Sequence, residues 1–261
     1  MILPLDWDLP GKDNEALCRQ FEKAVFEGSG IQLPYRYFVP RAEGKVPLVI
    51  YLHGADAVGD DNELPLSMHD IGTMFSKQGW QSSHPCFILA PQYGRSRHWS
   101  IPEVKACVME LILSFIEEHS CIDTDSVYIY GYSAGGVGTL KLVKENANHF
   151  AAAISICGAT SSEGLEELEK VPLWMVHAAD DRIVKASYRE AGTHFLSHYG
   201  SRDIFEALKD RSPGLHYTEY PAGYMKEAYG VNAHCSWVTV SDPEHSEIRE
   251  WLFAQRRGSE P

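Results

Sequence analysis

A serine in a G-x-S-x-G frame is the residue of this chain best placed to do chemistry. The frame, in which Ser133 lies between Gly131 and Gly135, follows the apolar run 127–130 and precedes a helical pattern over 137–145. A strand, a tight turn and a helix in this order hold a serine in a strained backbone conformation, with its hydroxyl above the edge of a sheet. The pattern therefore predicts a serine nucleophile, and an ordinary Gly/Ser turn is the alternative interpretation.

A serine nucleophile needs a histidine that takes its proton and a carboxylate that holds this histidine in the correct tautomer. In serine hydrolases built on an α/β sheet, the acid and then the histidine follow the nucleophile along the chain. Asp180 and Asp181 lie side by side at the carboxyl end of the strand-like run 173–176. Asp181 is the preferred acid and Asp180 the alternative, and an Asx-type turn formed by both is the non-catalytic interpretation.

Three histidines downstream of the aspartates are candidates for the base. His216 begins a strand pattern and is therefore displaced from the strand ends, and His245 lies in an acidic helix start. His234 lies in the loop after the last predicted strand, where a loop can bring it beside the nucleophile. We therefore predict that His234 is the base.

Acyl transfer also needs hydrogen-bond donors for the oxyanion that forms at the carbonyl. One donor is normally the backbone N–H after the nucleophile, here Ala134, and the other comes from the loop after an early strand. Gly54 allows that loop to turn back toward the nucleophile, so the N–H of Ala55 is the predicted second donor and Asp56 the neighbouring alternative. His53 is expected to shape this loop without acting in catalysis.

The elements that must position these residues alternate between strand-like runs and helical patterns. The predicted strands are 35–39, 46–52, 87–90, 127–130, 152–156, 173–176 and 216–220, and the predicted helices are 102–119, 137–145, 187–199 and 248–255. This alternation is typical of an α/β fold with a doubly wound, mostly parallel sheet flanked by helices. Functional residues of such folds lie at the carboxyl ends of the strands, where the candidates above are found.

The composition fits one globular domain over residues 1–261, with 1–30 as an N-terminal extension and 256–261 as a flexible tail. The net charge of −13 argues against nucleic acid or an anionic membrane as a partner, because both require clustered Lys and Arg. No signal peptide or membrane-spanning run is recognisable, and the six cysteines form no C-x-x-C pair. A cytoplasmic protein without metal or cofactor is therefore expected.

Further short motifs, taken together with the serine motif, point to one family of enzymes. They are Tyr51-Leu52-His53-Gly54, Gly59-Asp60-Asp61-Asn62, Ala90-Pro91-Gln92, Trp99-Ser100 and His234 with Ser236-Trp237. Together they resemble α/β-hydrolase-fold esterases of the "predicted peptidase" or feruloyl/acetyl esterase group, related to polyhydroxybutyrate depolymerases and to the prolyl oligopeptidase catalytic domain. The resemblance extends over about 35–255. It implies an α/β-hydrolase fold, a triad of Ser133, Asp181 and His234, and hydrolysis of carboxylic esters.

The chain departs from that group near the predicted oxyanion loop and in two later segments. The group's Gly-Glu-Arg reads Asp56-Ala57-Val58 here, and Asp56 is expected to contact a polar substrate group or to repel an anionic acyl chain. The segments around 191–203 and 223–232 are lengthened, and both are expected to project near the site. Residues 158–170 are too few for the cap domain of many lipases, which predicts an open site without a large cap.

Aromatic and polar side chains near the predicted site are candidates for substrate contact. They are Gln92, Trp99, Tyr132 and Trp237, with ordinary packing as the alternative for each. The expected reaction is hydrolysis of short-acyl or hydroxycinnamoyl-type small-molecule esters through an acyl-enzyme. A peptidase or thioester hydrolase with the same triad, and a catalytically silent binding protein, are the alternatives. The sequence leaves open whether the chain forms homo-oligomers.

Overall fold

The structure, a computed structural model, describes residues 13–189 and 198–258. Its strands are β1 (Glu22–Gly28), β2 (Ile31–Phe38), β3 (Val46–Leu52), β4 (Phe87–Pro91), β5 (Ile122–Tyr132), β6 (Ala152–Ile156), β7 (Ala159–Ser161), β8 (Leu173–Ala178), β9 (His198–Gly200) and β10 (Leu215–Tyr220). Its helices are α1 (Asn14–Cys18), α2 (Leu64–Ser67), α3 (Asp70–Thr73), α4 (Gln78–Ser83), α5 (Pro102–Glu118), α6 (Ala134–Asn146), α7 (Ser201–Leu208), α8 (Tyr224–Tyr229), α9 (Trp237–Ser241) and α10 (Glu247–Ala254).

Eight of the described strands form one sheet in the order β1-β2-β4-β3-β5-β6-β8-β10. The six strands from β4 to β10 in this order run parallel, whereas β2 is antiparallel to both β1 and β4. Helices cover both faces, so the central strands are buried almost throughout. Alternate residues of β3 show this: Leu48 and Ile50 belong to one apolar cluster and Val49 and Tyr51 to the other. The predicted α/β fold is confirmed.

The edge hairpin β1–β2 was not predicted, because β1 alternates between exposed and half-exposed residues and carries charges. A turn at Ser29 and Gly30, both with positive φ, joins its strands. Part of the predicted N-terminal extension, residues 22–28, is therefore an edge strand of the main sheet. Residues 1–12 lie outside the described part of the chain.

The helix predicted over 187–199 is wrong at both of its described ends. Residues 187–189 are not helical, 198–199 belong to β9, and 190–197 lie outside the described residues. The helix begins instead at Ser201, where the Asp203 carboxylate accepts hydrogen bonds from the N–H groups of Gly200 and Tyr188. A carboxylate in the first turn of a helix stabilises a start at that point.

The first residues of the predicted flexible tail contact the body of the domain. Arg256 forms ion pairs with Asp123 and Asp125, and the N–H of Arg257 donates to the carbonyl of Asp125. Residues 259–261 lie outside the described part of the chain.

The predicted absence of a large cap agrees with the structure. Residues 157–172, all described, form β7 and a 3-10 helix at Leu165–Lys170. Among the described helices, none has the length and apolar character needed to cross a membrane.

Candidate active site

The turn between β5 and α6 places Ser133 in a backbone conformation that few L-residues adopt. Its φ is 54° and its ψ is −120°. Glycine is required around it, since a Cβ at Gly135 would lie 1.9 Å from the carbonyl oxygen of Leu52. The N–H of Ser133 donates to the carbonyl of Ile156 in the neighbouring strand at 2.9 Å. Strain stored in this way is typical of a functional turn, here one at the carboxyl edge of the sheet.

His234 meets Ser133 from the loop that follows α8. It lies in a 3-10 helix, Ala233–Cys235, whose start is capped by the Asn232 side chain accepting from the His234 N–H at 2.9 Å. The His234 Nε2 is 2.8 Å from the Ser133 Oγ, and its Nδ1 is 2.7 Å from the Asp181 Oδ2. A carboxylate can only accept, so Nδ1 carries the proton and Nε2 is left to accept from the serine hydroxyl.

Asp181 follows β8 and is held by backbone groups as well as by His234. Its Oδ1 accepts from the N–H groups of Ile183 at 2.8 Å and Val184 at 3.2 Å, which directs Oδ2 toward His234. Burial alone would raise the pKa of Asp181, but hydrogen bonds from His177 and His234 lower it to about 2. The carboxylate is therefore ionised at neutral pH.

The structure brings together the predicted nucleophile, acid and base, and it keeps the alternatives apart from them. Asp180 accepts from the N–H of Gly223 at 3.0 Å instead of contacting the histidine. His216 stacks on Trp174 in β8. His245 donates its backbone N–H to the carbonyl of Asp242 in the turn before α10.

The electrostatics of His234 lead to a pH prediction. Burial disfavours the imidazolium, but the hydrogen bond and the charge of the Asp181 carboxylate favour it, and the net effect raises the pKa of His234 above its usual value near 6.5. Only the neutral ring can accept the serine proton, so activity is lost as the pH falls through this raised pKa. We expect the acid limb of kcat/KM to have its midpoint above pH 6.5.

The measurement is a pH–rate profile of kcat/KM with an ester whose own hydrolysis is corrected at each pH. A Cys157→Ser variant is the control. Its acid limb should keep the midpoint of wild type, because a hydroxyl can replace the thiol as donor to the His234 carbonyl while the Asp181 carboxylate stays beside the ring. A limb with a midpoint below that of free histidine would contradict the assignment.

The loop after β3 is arranged to present the predicted oxyanion donor. The buried His53 donates from Nδ1 to the carbonyl of Gly54 at 2.6 Å, and the N–H of Ala57 donates to the same oxygen at 3.2 Å. Because a trans peptide directs its C=O and the following N–H to opposite sides, the N–H of Ala55 points away from these buried partners. Ala55 is exposed, and Ala134 begins α6, so its N–H has no acceptor within that helix.

His53 itself is a packing residue, as the sequence predicts. It is fully buried and stacks on Tyr93, with ring centroids 4.9 Å apart. Burial lowers the pKa of His53 to about 4, despite a hydrogen bond to Gly54 that acts in the opposite direction. A neutral ring that already makes these contacts shapes the loop.

The carboxylate of Asp56, which the sequence predicts to meet the substrate, has two partners within the protein. Its Oδ1 accepts from the Tyr132 hydroxyl at 2.6 Å, and its Oδ2 is 2.8 Å from the His69 Nε2. Trp237 packs on His69 with ring centroids 4.5 Å apart. Since Tyr132 directly precedes Ser133, Asp56 ties the oxyanion loop to the nucleophile turn. We name this Asp56–Tyr132 contact the loop clamp.

The other candidate substrate contacts are almost fully buried in the structure. Tyr132 and Trp237 are almost fully buried in the contacts just described. Gln92 donates to the carbonyl of Ala57 at 3.0 Å and accepts from the N–H of Asn62 at 2.6 Å, which braces the oxyanion loop. Trp99 donates from Nε1 to the carbonyl of His53 at 3.0 Å. The internal hydrogen bonds of Gln92, Trp99 and Tyr132 favour the packing alternative for these three side chains.

Removal of the loop clamp tests this positioning role. Tyr132→Phe deletes the hydroxyl that binds Asp56, so the predicted donor at Ala55 is held less firmly. Because outright loss of an oxyanion donor costs about 10²- to 10³-fold in kcat, we expect loosening to cost roughly ten- to a hundredfold, with KM little changed. The control is Tyr130→Phe. Tyr130 lies on the same strand as Tyr132, and its buried hydroxyl donates to the Ile71 carbonyl. Equal kcat in both variants would contradict the role.

Three residues at the site escaped the sequence analysis. His177 is the penultimate residue of β8, and its Nε2 lies 2.8 Å from the Val184 carbonyl and 3.4 Å from the Asp181 Oδ2. Its position shortly before the two aspartates was the available sequence signal. Cys157 follows β6, and its Sγ donates to the carbonyl of His234 at 3.3 Å. His69 reaches Asp56 only through tertiary folding, and the sequence carried no signal for it.

The structure describes only part of the first lengthened segment, 191–203, and all of the second, 223–232. Residues 191–197 lie outside the described residues, whereas 224–229 form α8, in which Tyr224 stacks on Tyr220 with ring centroids 4.9 Å apart. The helix α8 thus lies between β10 and the loop that carries His234.

The chain is similar in sequence and in fold to several known proteins. Residues 97–197 match the prolyl oligopeptidase family. A bifunctional acetylxylan esterase/xylanase of Neocallimastix patriciarum is 29% identical over 163 residues, which are 61% of this chain and 22% of that protein. A solved thermostable esterase is 33% identical with a TM-score of 0.83, over 93% of this chain and 64% of that one. The chain thus spans less than two thirds of the length of either.

An α/β serine hydrolase without a lid from Xanthomonas campestris shares the fold, with a TM-score of 0.57 at 12% identity over 93% of this chain and 97% of that chain. The sheet order, the flanking helices and these similarities show that the chain has the α/β-hydrolase fold. The predicted resemblance to esterases of this fold is confirmed.

Proposed function

We propose that this α/β-hydrolase-fold chain is a serine esterase that uses Ser133, His234 and Asp181 as its catalytic triad. The observation that carries the proposal is the continuous hydrogen-bonded series from the Ser133 Oγ through the His234 ring to the Asp181 Oδ2, with distances of 2.8 and 2.7 Å. Each member lies at the carboxyl edge of the sheet, where ligands of α/β folds bind.

The reaction proceeds by two acyl transfers. The Ser133 Oγ attacks the ester carbonyl while the His234 Nε2 takes its proton, and the oxyanion is held by the N–H groups of Ala55 and Ala134. The imidazolium then protonates the leaving alcohol, which leaves an acyl-enzyme. Water attacks this intermediate with His234 again as the base. Asp181 stays ionised and stabilises the imidazolium in both steps.

The substrates that we propose are esters of short acyl groups or of hydroxycinnamic acids. Two similar proteins are esterases, and one of them acts on acetylated xylan. Residues 157–172 form a short strand and a 3-10 helix, which are too small to enclose a long acyl chain. The match to the prolyl oligopeptidase family supports peptide hydrolysis as the second candidate, because the same triad can cleave either bond.

A substrate panel distinguishes these activities. We expect kcat/KM for p-nitrophenyl esters to be highest for short acyl groups and to fall as the chain lengthens, because residues 157–172 are too few to enclose a long acyl chain. Methyl hydroxycinnamates should be hydrolysed, and peptide anilides should be cleaved far more slowly than esters. The Ser133→Ala variant gives the background for each substrate. Rates that rise steadily to long acyl chains, or that are highest for peptide anilides, would overturn the proposed specificity.

A further inference from the structure

Buried ligand atoms of three chemical kinds converge beneath the triad histidine. The Cys157 Sγ, a carboxylate oxygen of Asp181 and a ring nitrogen of His234 all lie within 4.8 Å of one another. We propose that these three residues form a binding site for a thiophilic divalent cation such as Zn²⁺, and that binding of the cation switches the enzyme off. The inhibitory consequence rests on the proposed esterase function, whereas the binding site does not.

The fold holds the three residues at this point. Strands β6 and β8 are adjacent and parallel, so Cys157 and Asp181, which follow them, come out at the same edge of the sheet. Cys157 is fully buried with a φ of 40°, and its N–H donates to the Val176 carbonyl in β8 at 2.8 Å. His234 is brought over them by its capped 3-10 helix. A thiol is therefore kept beside the imidazole and the carboxylate by backbone contacts from two neighbouring strands.

The set of ligands suits zinc or cadmium. Zinc binds thiolate sulfur at about 2.3 Å and imidazole nitrogen or carboxylate oxygen at about 2.0–2.2 Å. The three ligand atoms lie within 4.8 Å of one another, and the His234 Nδ1 and the Asp181 Oδ2, now 2.7 Å apart, must separate by roughly half an ångström to admit the ion. Sulfur and imidazole ligands disfavour Mg²⁺ and Ca²⁺, which prefer oxygen. Asp181 can bind the cation without moving far, because the N–H groups of Ile183 and Val184 hold its Oδ1 in place. Its Oδ2 can then bind the cation instead of the His234 ring.

Binding is balanced in protons and charge. The cation replaces the thiol proton of Cys157, which is released to solvent, and the thiolate and carboxylate together neutralise its two positive charges. Coordination at the His234 Nδ1 requires that nitrogen to be unprotonated, so the ring proton is carried by Nε2 instead. This tautomer faces Ser133 with a donor. It cannot accept the serine proton, and the triad is inactive.

Matched cysteine variants test the site. In Cys157→Ser a hydroxyl can still donate to the His234 carbonyl, but the soft thiolate ligand is lost. Cys235→Ser is the control, because Cys235 is also buried and adjacent to His234 but does not belong to the ligand set. Cadmium is added to the full chain, and the ultraviolet cadmium–thiolate absorption and the heat of binding are followed. Zinc inhibition of ester hydrolysis is measured in parallel, with Mg²⁺ as the comparison ion.

Wild type and Cys235→Ser should show the thiolate absorption and should be inhibited by Zn²⁺ but not by Mg²⁺. In Cys157→Ser the affinity for cadmium should fall by at least about tenfold. Even the loss of a residue that only hydrogen-bonds to a metal ligand lowers metal affinity by that much. Equal cadmium binding in wild type and Cys157→Ser would overturn the site. Binding that requires Cys157 but leaves activity unchanged would overturn the switch. Cadmium binding that requires Cys157 in a chain without esterase activity would support the site while refuting the proposed function.

Discussion

Replacement of Ser133 by alanine is expected to lower kcat by roughly 10⁵-fold, because the nucleophile of both acyl transfers is removed. The backbone of the turn and the contacts of the β5–α6 junction do not depend on the hydroxyl, so KM and the melting temperature should change little. Steady-state kinetics with a short-acyl p-nitrophenyl ester and a thermal melt measure both quantities.

Ser155→Ala is the matched control for this variant. Ser155 is also a buried serine in this part of the sheet, and its hydroxyl donates to the Gly136 carbonyl at 3.1 Å instead of to a histidine. Its kcat should stay within a few-fold of wild type, which corresponds to less than about 1 kcal/mol in the activation barrier. A Ser133→Ala variant with more than a small fraction of wild-type activity would show that another residue is the nucleophile.

Replacement of Asp181 by asparagine is expected to lower kcat by about 10⁴-fold through the wrong histidine tautomer. The amide oxygen of the new side chain can still accept from the N–H groups of Ile183 and Val184, which turns its NH₂ toward His234. The Nδ1 must then accept, so the ring proton is carried by Nε2, where it blocks proton transfer from Ser133. Substrate binding does not involve Asp181, and KM should stay nearly constant.

Asp180→Asn is the control for the neighbouring carboxylate. Its side-chain oxygen can still accept from the N–H of Gly223, so we expect kcat within a few-fold of wild type. Both variants are compared at the alkaline side of the pH profile, where His234 is neutral in wild type. If Asp180→Asn were the more damaged of the two, the assignment of the acid would be wrong.

The elements that carry the site could be predicted from the sequence because their burial is visible in it. Strands covered on both faces are continuous apolar runs, and this pattern gave β3 and β6 with the bounds that the structure has. The turn at Ser133 combines glycines required by close backbone approach with a strand and a helix, and each of these features is local. The edge strand β1 carries charges on a half-exposed ribbon, so its sequence lacks this apolar pattern.

The contacts around Asp56 could not be predicted for a different physical reason. A carboxylate in a loop after a strand is usually solvated or directed at a ligand, and its burial here depends on a hydroxyl at residue 132 and an imidazole at residue 69. The same is true of Cys157, since its approach to His234 joins parts of the chain 77 residues apart. Such pairs are defined by the packing of distant elements, which neither periodicity nor spacing reveals.

Covalent labelling of Ser133 tests the central claim most directly. A fluorophosphonate reacts with a serine that a neighbouring histidine has activated, and mass spectrometry of the digested protein locates the adduct. We predict one adduct, on the peptide that contains Ser133, absent from Ser133→Ala and strongly reduced in a His234→Ala variant. An unlabelled wild-type protein, or equal labelling of wild type and Ser133→Ala, would contradict the assignment of Ser133 as an activated nucleophile.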